Sequence, residues 1–194
     1  MTNPAQKPRL AVVVGSNRRE SINRRLAAAL AKLAEPQFDV TFVGIDDLPM
    51  YNQDIESPLP APVARFKGDI GRADALLLVT PEHNRSIPAV LKNAIDWGAR
   101  PYGQNSWTGK PAMITGTTAG AIGTSLAQFH LRSILGVLGA LVLGGEAYIT
   151  FKPEMISDND TITNESTRKF LQGFIDQFAA LVGRLSPRPE RATA

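Results

Sequence analysis

The chain has 194 residues, 43% of them hydrophobic, which is enough for one domain with a full core. It contains no cysteine, which excludes disulfides, thiolate metal ligands and cysteine nucleophiles. The net charge is only +3, its arginines form short pairs, and no apolar run is long enough to cross a bilayer. We therefore expect a cytoplasmic protein that binds neither nucleic acid nor a membrane.

Short apolar runs alternate with amphipathic segments, which is typical of a parallel sheet with helices on both faces. The predicted strands are 10–14, 40–44, 75–80, 112–116 and 140–143, and the predicted helices are 23–33, 61–72, 88–97, 124–138 and 165–184. The pattern predicts an α/β, flavodoxin-like three-layer sandwich with a five-stranded parallel sheet. It forms one domain, 9–185, between an N-terminal tail (1–8) and a disordered C-terminal tail (186–194).

Residues 15–23, Gly-Ser-Asn-Arg-Arg-Glu-Ser-Ile-Asn, lie between the first predicted strand and the first predicted helix. The first N–H groups of a helix are unpaired and carry partial positive charge, so they bind anions. Ser16, Ser21 and Asn23 add neutral donors, and Arg18 adds charge. The segment has one glycine, so it lacks both the dinucleotide and the triphosphate fingerprints. We predict a site for a single terminal phosphate.

Two more polar loops follow predicted strands, at 80–87 and 116–123. Ligands of open α/β sheets bind at the carboxyl ends of the strands, where these loops should meet. Pro81 and Asn84 favour a rigid turn with exposed N–H groups, and the glycines of the third loop let the backbone lie close to a flat ligand. Together the loops predict a site for a phosphate at one end and a planar ring at the other.

These loops resemble those of the NADPH-dependent FMN reductases, flavodoxin-like enzymes that include bacterial quinone and chromate reductases. The resemblance extends over residues 9–185 and rests on the 15–24 loop, on 48–54 (Leu-Pro-Met-Tyr-Asn-Gln-Asp), on 80–97 and on 128–132 (Gln-Phe-His-Leu-Arg). It implies an FMN-containing oxidoreductase with NADPH or NADH as hydride donor. By ping-pong transfer the electrons would reach quinones, free flavin or other small acceptors such as chromate.

The resemblance also implies site residues. For FMN binding these are Ser16, Arg18, Ser21, Ile22 and Asn23 around the phosphate, Pro81, Glu82, His83 and Asn84 beside the isoalloxazine ring, and Thr117 and Gly120 completing the pocket. Arg85 and Arg100 are expected to attract an anionic nucleotide or acceptor. The flavin carries the chemistry, so no catalytic side chain is expected, and two distant histidines without cysteine predict no metal site.

The resemblance further implies a homodimer or homotetramer with the flavin near the subunit interface.

Two positions depart from the family pattern. His83 stands where relatives commonly carry tyrosine, and histidine is smaller and can become charged. Leu126 stands where tetrameric relatives carry an arginine that reaches an acid of the neighbouring subunit, although Glu146 is present.

Two other functions remain compatible with this fold class. A flavodoxin-like electron carrier would bind FMN without oxidising a pyridine nucleotide, but such carriers are generally acidic and the isoelectric point here is about 9.4. A doubly wound NAD-dependent dehydrogenase would need no flavin and would use Asp46 to bind the ribose. The missing glycines favour Asp46 and Asp47 as turn formers instead.

Overall fold

The computed structural model describes residues 7–185, so the predicted tail 186–194 and residues 1–6 lie outside the described part of the chain. The strands are β1 (Arg9–Val14), β2 (Asp39–Val43), β3 (Ala75–Val79), β4 (Pro111–Thr118), β5 (Leu141–Val142) and β6 (Tyr148–Thr150). The sheet order is β2-β1-β3-β4-β5, with β6 also paired to β4, and every pairing is parallel. The predicted parallel α/β sheet is confirmed.

Five helices cover the two faces of the sheet. They are α1 (Ile22–Ala34), α2 (Ala61–Arg72), α3 (Ala89–Ala99), α4 (Ser125–Val137) and α5 (Glu165–Leu185). Side chains alternate along β1 and β3, so that one set packs with α1 and α5 and the other with α2, α3 and α4. No helix within residues 7–185 is both long and apolar enough to cross a membrane.

A sixth strand at the edge of the sheet was not predicted. The predicted run 140–143 forms only the two-residue β5, which pairs with the start of β4. The chain leaves the sheet at Gly144 and Gly145, where Gly145 has a φ of +83°, and returns as β6 beside the end of β4. Three residues, Tyr-Ile-Thr, are too few to show a strand period, so the sequence pattern did not reveal β6.

The order of the strands fixes where a ligand can enter. From β1 the chain moves to β2 on one side, and it then returns to β3 on the other side. The loops after β1 and β3 therefore diverge and leave a crevice at the carboxyl edge of the sheet. In flavodoxin-like folds this switch point is where ligands bind.

Gly116 near the end of β4 lets two adjacent segments come close together at this edge. A Cβ added there would lie 1.9 Å from the Thr80 carbonyl oxygen and 2.4 Å from the Thr124 Oγ1. The first of these atoms belongs to the backbone of the neighbouring strand end, so it cannot move aside without disturbing β3. The absence of a side chain at Gly116 thus allows the β3 and β4 loops to meet.

We expect Gly116→Ala to lower the free energy of unfolding by about 3 kcal/mol, because the added methyl group overpacks a rigid backbone contact. Gly144→Ala is the control, since a Cβ at that position would meet no atom within 4 Å. Urea denaturation followed by circular dichroism measures both. Equal midpoints for the Gly116 variant and the parent would contradict the close approach described here.

Candidate functional site

A cavity of about 390 Å³ opens at the switch point, where the loops after β1, β3 and β4 meet. Its size falls in the range of ordinary small-molecule sites. It is lined by Gly15, Ser16, Asn17, Arg18, Ser21, Ile22, Asn23, Pro81, Glu82, His83, Pro88, Ala89, Val90, Thr117 and Thr118. The structure thus brings together residues from all three predicted loops.

The N-terminus of α1 opens into one end of this cavity. Ser21 is the N-cap residue, and its Oγ accepts a hydrogen bond of 3.3 Å from the Arg24 N–H. The hydrogen bonds within residues 7–185 leave the N–H groups of Ile22 and Asn23 without a protein acceptor. Two free donors at the positive end of a helix form a site that fits a phosphate group.

The side chain of Asn23 is buried and binds the backbone of Thr117 on β4. Its Nδ2 donates to the Thr117 carbonyl oxygen at 2.9 Å, and its Oδ1 accepts from the Thr117 N–H at 2.8 Å. The Thr117 hydroxyl in turn donates to the Ile149 carbonyl oxygen at 2.8 Å. Both side chains therefore hold loops in place, and the predicted phosphate contact of Asn23 rests mainly on its backbone N–H.

The loop after β3 forms a tight turn, as the sequence predicted. His83 and Ser86 exchange two backbone hydrogen bonds of 2.9 Å, and the residues between them, Asn84 and Arg85, have φ values of +48° and +66°. Two consecutive left-handed residues are typical of the type I′ turn. This turn holds His83 at the exposed rim of the cavity.

Glu82 joins this loop to the N-terminus of α4. Its Oε2 accepts the N–H groups of Leu126 and Ala127 at 3.1 and 3.3 Å, and its Oε1 pairs with Arg85 at 3.1 Å. The side chain is only 9% exposed, and the N-cap residue Thr124 makes no capping bond of its own. Glu82 therefore caps α4 from a different loop.

Four predicted site residues do not line the cavity. Asn84 and Arg85 form the exposed turn, Gly120 lies in the exposed loop between β4 and α4, and Arg100 lies at the opposite end of α3 from the cavity. There the Arg100 Nε donates to a carboxylate oxygen of Glu56 at 2.7 Å, and the Tyr51 hydroxyl does the same at 2.7 Å. These two bonds, with Arg100 as the larger cause, hold the pKa of the Glu56 carboxyl below its ordinary value.

Arg100 thus does not line this cavity, and its role toward an anionic nucleotide or acceptor stays a prediction. Its charge is already paired, and the pairing depends on the path of the long segment between β2 and α2, which sequence spacing does not reveal. Conversely, six lining residues were not predicted as site residues: Gly15, Asn17, Pro88, Ala89, Val90 and Thr118. The start of α3 could have been found, because a helix that follows a parallel strand begins at the same edge.

Comparison with known proteins gives the same fold and a consistent family. A family model described as NADPH-dependent FMN reductase matches residues 8–154. A 2-hydroxy-1,4-benzoquinone reductase from Burkholderia sp is 51% identical over 175 residues, which is 90% of this chain and 96% of that protein. A quinone reductase from Pseudomonas putida is 47% identical, over 89% of this chain and 94% of the relative.

A solved structure is also closely similar. The flavoenzyme FerB, an NAD(P)H:(acceptor) oxidoreductase from Paracoccus denitrificans, superimposes with a TM-score of 0.88 at 46% sequence identity. The match covers 91% of this chain and 98% of that one. The similarity therefore extends over most of both chains.

We expect Glu82→Ala to lower the free energy of unfolding by about 1 kcal/mol, because two N–H groups of α4 lose their cap. Glu82→Gln keeps an acceptor oxygen and should recover most of that loss. Arg85→Ala removes only the exposed partner of the ion pair and should cost less than Glu82→Ala. Thermal and urea unfolding measure all three. A loss in Arg85→Ala equal to that in Glu82→Ala would show that the ion pair, and not the cap, matters.

Proposed function

Because the chain belongs to the NADPH-dependent FMN reductase family, we propose that it reduces quinones with electrons from NADPH or NADH through bound FMN. The observation that carries the proposal is the cavity at the β1/β3 switch point, which has free helix N–H groups at one end and a rigid loop at the other. A phosphate fits the first end, and a flat ring fits between loops of exposed backbone.

The lining residues fit FMN. We assign its phosphate to the N-terminus of α1, with Ser16, Arg18, Ser21, Ile22 and Asn23 around it. For the ring we assign the Pro81–His83 side of the cavity opposite Thr117. Pro81, Pro88 and Val90 supply apolar surface for the ring, and the backbone of the β3 loop supplies N–H donors.

When bound, FMN accepts a hydride from the nicotinamide and passes electrons to the acceptor. The protein supplies position and electrostatics. The turn at residues 83–86 fixes the backbone beside the ring site, and Glu82 holds that turn against α4. Donors fixed in this way stabilise negative charge on a reduced ring without reorganising during the reaction. The pair of prolines at 81 and 88 limits the freedom of the same loop.

Quinones are the acceptors for which two of the relatives are named. A relative at 51% identity is named for a hydroxylated benzoquinone, and another at 47% for quinones in general. His83 is exposed at the rim of the cavity, where a flat acceptor entering the site would pass its ring. We therefore assign benzoquinones as the acceptor class, ahead of free flavin or chromate.

The proposed reaction predicts rapid anaerobic bleaching of the FMN absorbance when NADPH or NADH is mixed with the loaded protein. Addition of a benzoquinone should then restore the absorbance, and steady-state rates should give the parallel lines of ping-pong kinetics. Stopped-flow and steady-state spectrophotometry measure these results. A flavin that stays yellow with both nucleotides, yet is reduced by dithionite, would instead support the electron-carrier alternative.

We further propose that α4 forms a subunit interface in a homodimer or homotetramer. Leu126, Phe129 and Val137 are exposed by 40, 65 and 85%, and their spacing of three and eight residues places them on neighbouring parts of one helix face. Ile122, just before the helix, extends this apolar surface. Leu126 supplies apolar contact where tetrameric relatives would have an arginine. An exposed apolar surface of this kind is typical of an association site.

Phe129→Glu should therefore dissociate the oligomer at this interface, into monomers from a dimer or into smaller assemblies from a tetramer, because a carboxylate would be buried in an apolar interface without a partner. Phe170→Glu is a matched control, since Phe170 is 51% exposed on α5, away from α4. Sedimentation velocity at several concentrations distinguishes the outcomes. An unchanged mass for the Phe129 variant, or dissociation of the Phe170 variant instead, would refute α4 as the interface.

A further inference from the structure

A second cavity, of about 470 Å³, adjoins the proposed FMN site. Arg18, Ser21 and Ile22 line both cavities, so the second one begins at the phosphate end of the first. Four of its lining side chains are arginines: Arg18, Arg19, Arg24 and Arg25. Two acids, Glu20 and Asp160, also line it, so the charged side chains of this cavity are positive overall.

Most of these guanidinium groups have no carboxylate partner. In the part of the chain that the structure describes, only Arg24 has one, Asp46, at 3.5 Å, and both side chains are about half exposed. Neither Glu20 nor Asp160 forms an ion pair with an arginine of the cavity among residues 7–185. Four arginines around one cavity, three of them without a paired carboxylate, are suited to bind a multiply charged anion.

Three of the arginines are already oriented by the protein. The Nε of Arg18 donates to the Glu20 carbonyl oxygen at 3.1 Å, and an Nη of Arg24 donates to the Ser16 carbonyl oxygen at 3.3 Å. Arg25 donates to the Ile156 carbonyl oxygen and lies over the Phe151 ring at 5.5 Å. Each guanidinium has five N–H donors, so these bonds leave donors free. Side chains held in place lose less freedom when they bind a ligand.

The second cavity shares the N-cap of α1 with the first cavity and then diverges from it. Arg25 and Ala28, in the first two turns of α1, line it, whereas Ser16, Asn23 and Thr117 line only the first cavity. The second cavity thus extends along the outer flank of the helix. An anion bound there would contact arginine side chains, while a phosphate in the first cavity would contact the free N–H groups.

We propose that this arginine cavity binds the 2′-phosphate of NADPH and makes NADPH the preferred electron donor over NADH. The inference rests on the proposed function, since it places the nucleotide beside the FMN site. The 2′-phosphate is the one group that distinguishes the two nucleotides, and arginine is the residue that commonly accommodates it. Guanidinium bonds to phosphate are charge-assisted and so are among the stronger hydrogen bonds.

The direct test is calorimetric titration of the FMN-loaded protein with adenosine 2′,5′-bisphosphate and with AMP, which differ only in the 2′-phosphate. We expect the bisphosphate to bind at least about 10-fold more tightly, a difference typical of bonds to a charged group. Arg19→Gln and Arg25→Gln should each reduce that ratio several-fold. Arg19 is exposed, so its replacement tests the charge even if the Arg25 variant folds poorly.

Arg168→Gln on α5 is the control, because it removes one exposed arginine that does not line this cavity. Kinetics should agree with binding: the KM for NADPH rises in the Arg19 variant, while the KM for NADH and the Kd for FMN stay unchanged. Equal affinity of the parent for bisphosphate and AMP would overturn the inference, as would an equal loss in Arg168→Gln. A parallel loss of FMN affinity would overturn it too, by assigning the arginines to the FMN phosphate.

These results separate the inference from the proposed function. If NADPH and NADH both reduce the flavin but the bisphosphate binds no better than AMP, only the arginine cavity is refuted. If the bisphosphate is preferred but neither nucleotide reduces the flavin, the cavity stands as an anion site. In that case the proposed reductase function is refuted, and so is the assignment of NADPH as the ligand of the cavity.

Discussion

The two hydrogen bonds between the Asn23 side chain and the Thr117 backbone determine the shape of the site. Asn23 lies in the first turn of α1 and Thr117 lies near the end of β4, on the far side of β3 from β1. The side-chain amide of Asn23 binds both the N–H and the carbonyl oxygen of Thr117. Each of these buried backbone groups would cost about 1–3 kcal/mol if it were left unpaired. Because of this pair, the anion-binding end of α1 is fixed relative to the wall formed by β4.

Three helices begin at this edge, and two of them have N–H groups that are free to bind a ligand. At α4 the N–H groups of Leu126 and Ala127 already bind Glu82. At α1 those of Ile22 and Asn23, and at α3 those of Ala89 and Val90, have no acceptor within residues 7–185. At α1 the side chains of Arg18 and Ser21 also line the cavity, whereas the start of α3 presents Pro88, Ala89 and Val90, so a phosphate is favoured at α1.

Local patterns in the sequence were sufficient for every helix and for β1 to β4, and for part of the site, but not for β6. The bounds of α2, 61–72, were predicted exactly because a Pro-rich segment precedes a regular apolar spacing and a polar turn follows it. That the loop between β1 and α1 lines the cavity was also predictable, since strand, loop and helix are consecutive. The contacts of Glu82 with α4 and of Arg100 with Glu56 span about 44 residues, and no local spacing encodes them. For that reason Glu82 was expected beside the ring without its capping role, and the pairing of Arg100 with Glu56 was not expected.

The net positive charge of the protein comes from arginines at the same edge of the sheet. The formal net charge is +3, and it becomes −1 without the four arginines at positions 18, 19, 24 and 25. The basic character of the whole chain thus arises in the segment that leads from β1 into α1, beside both cavities. Positive potential concentrated at a cleft raises the local concentration of anionic ligands and speeds their association. A carrier that meets protein partners would gain little from charge directed into a cleft, whereas an enzyme that binds a phosphorylated cofactor and a phosphorylated substrate gains from it at each encounter.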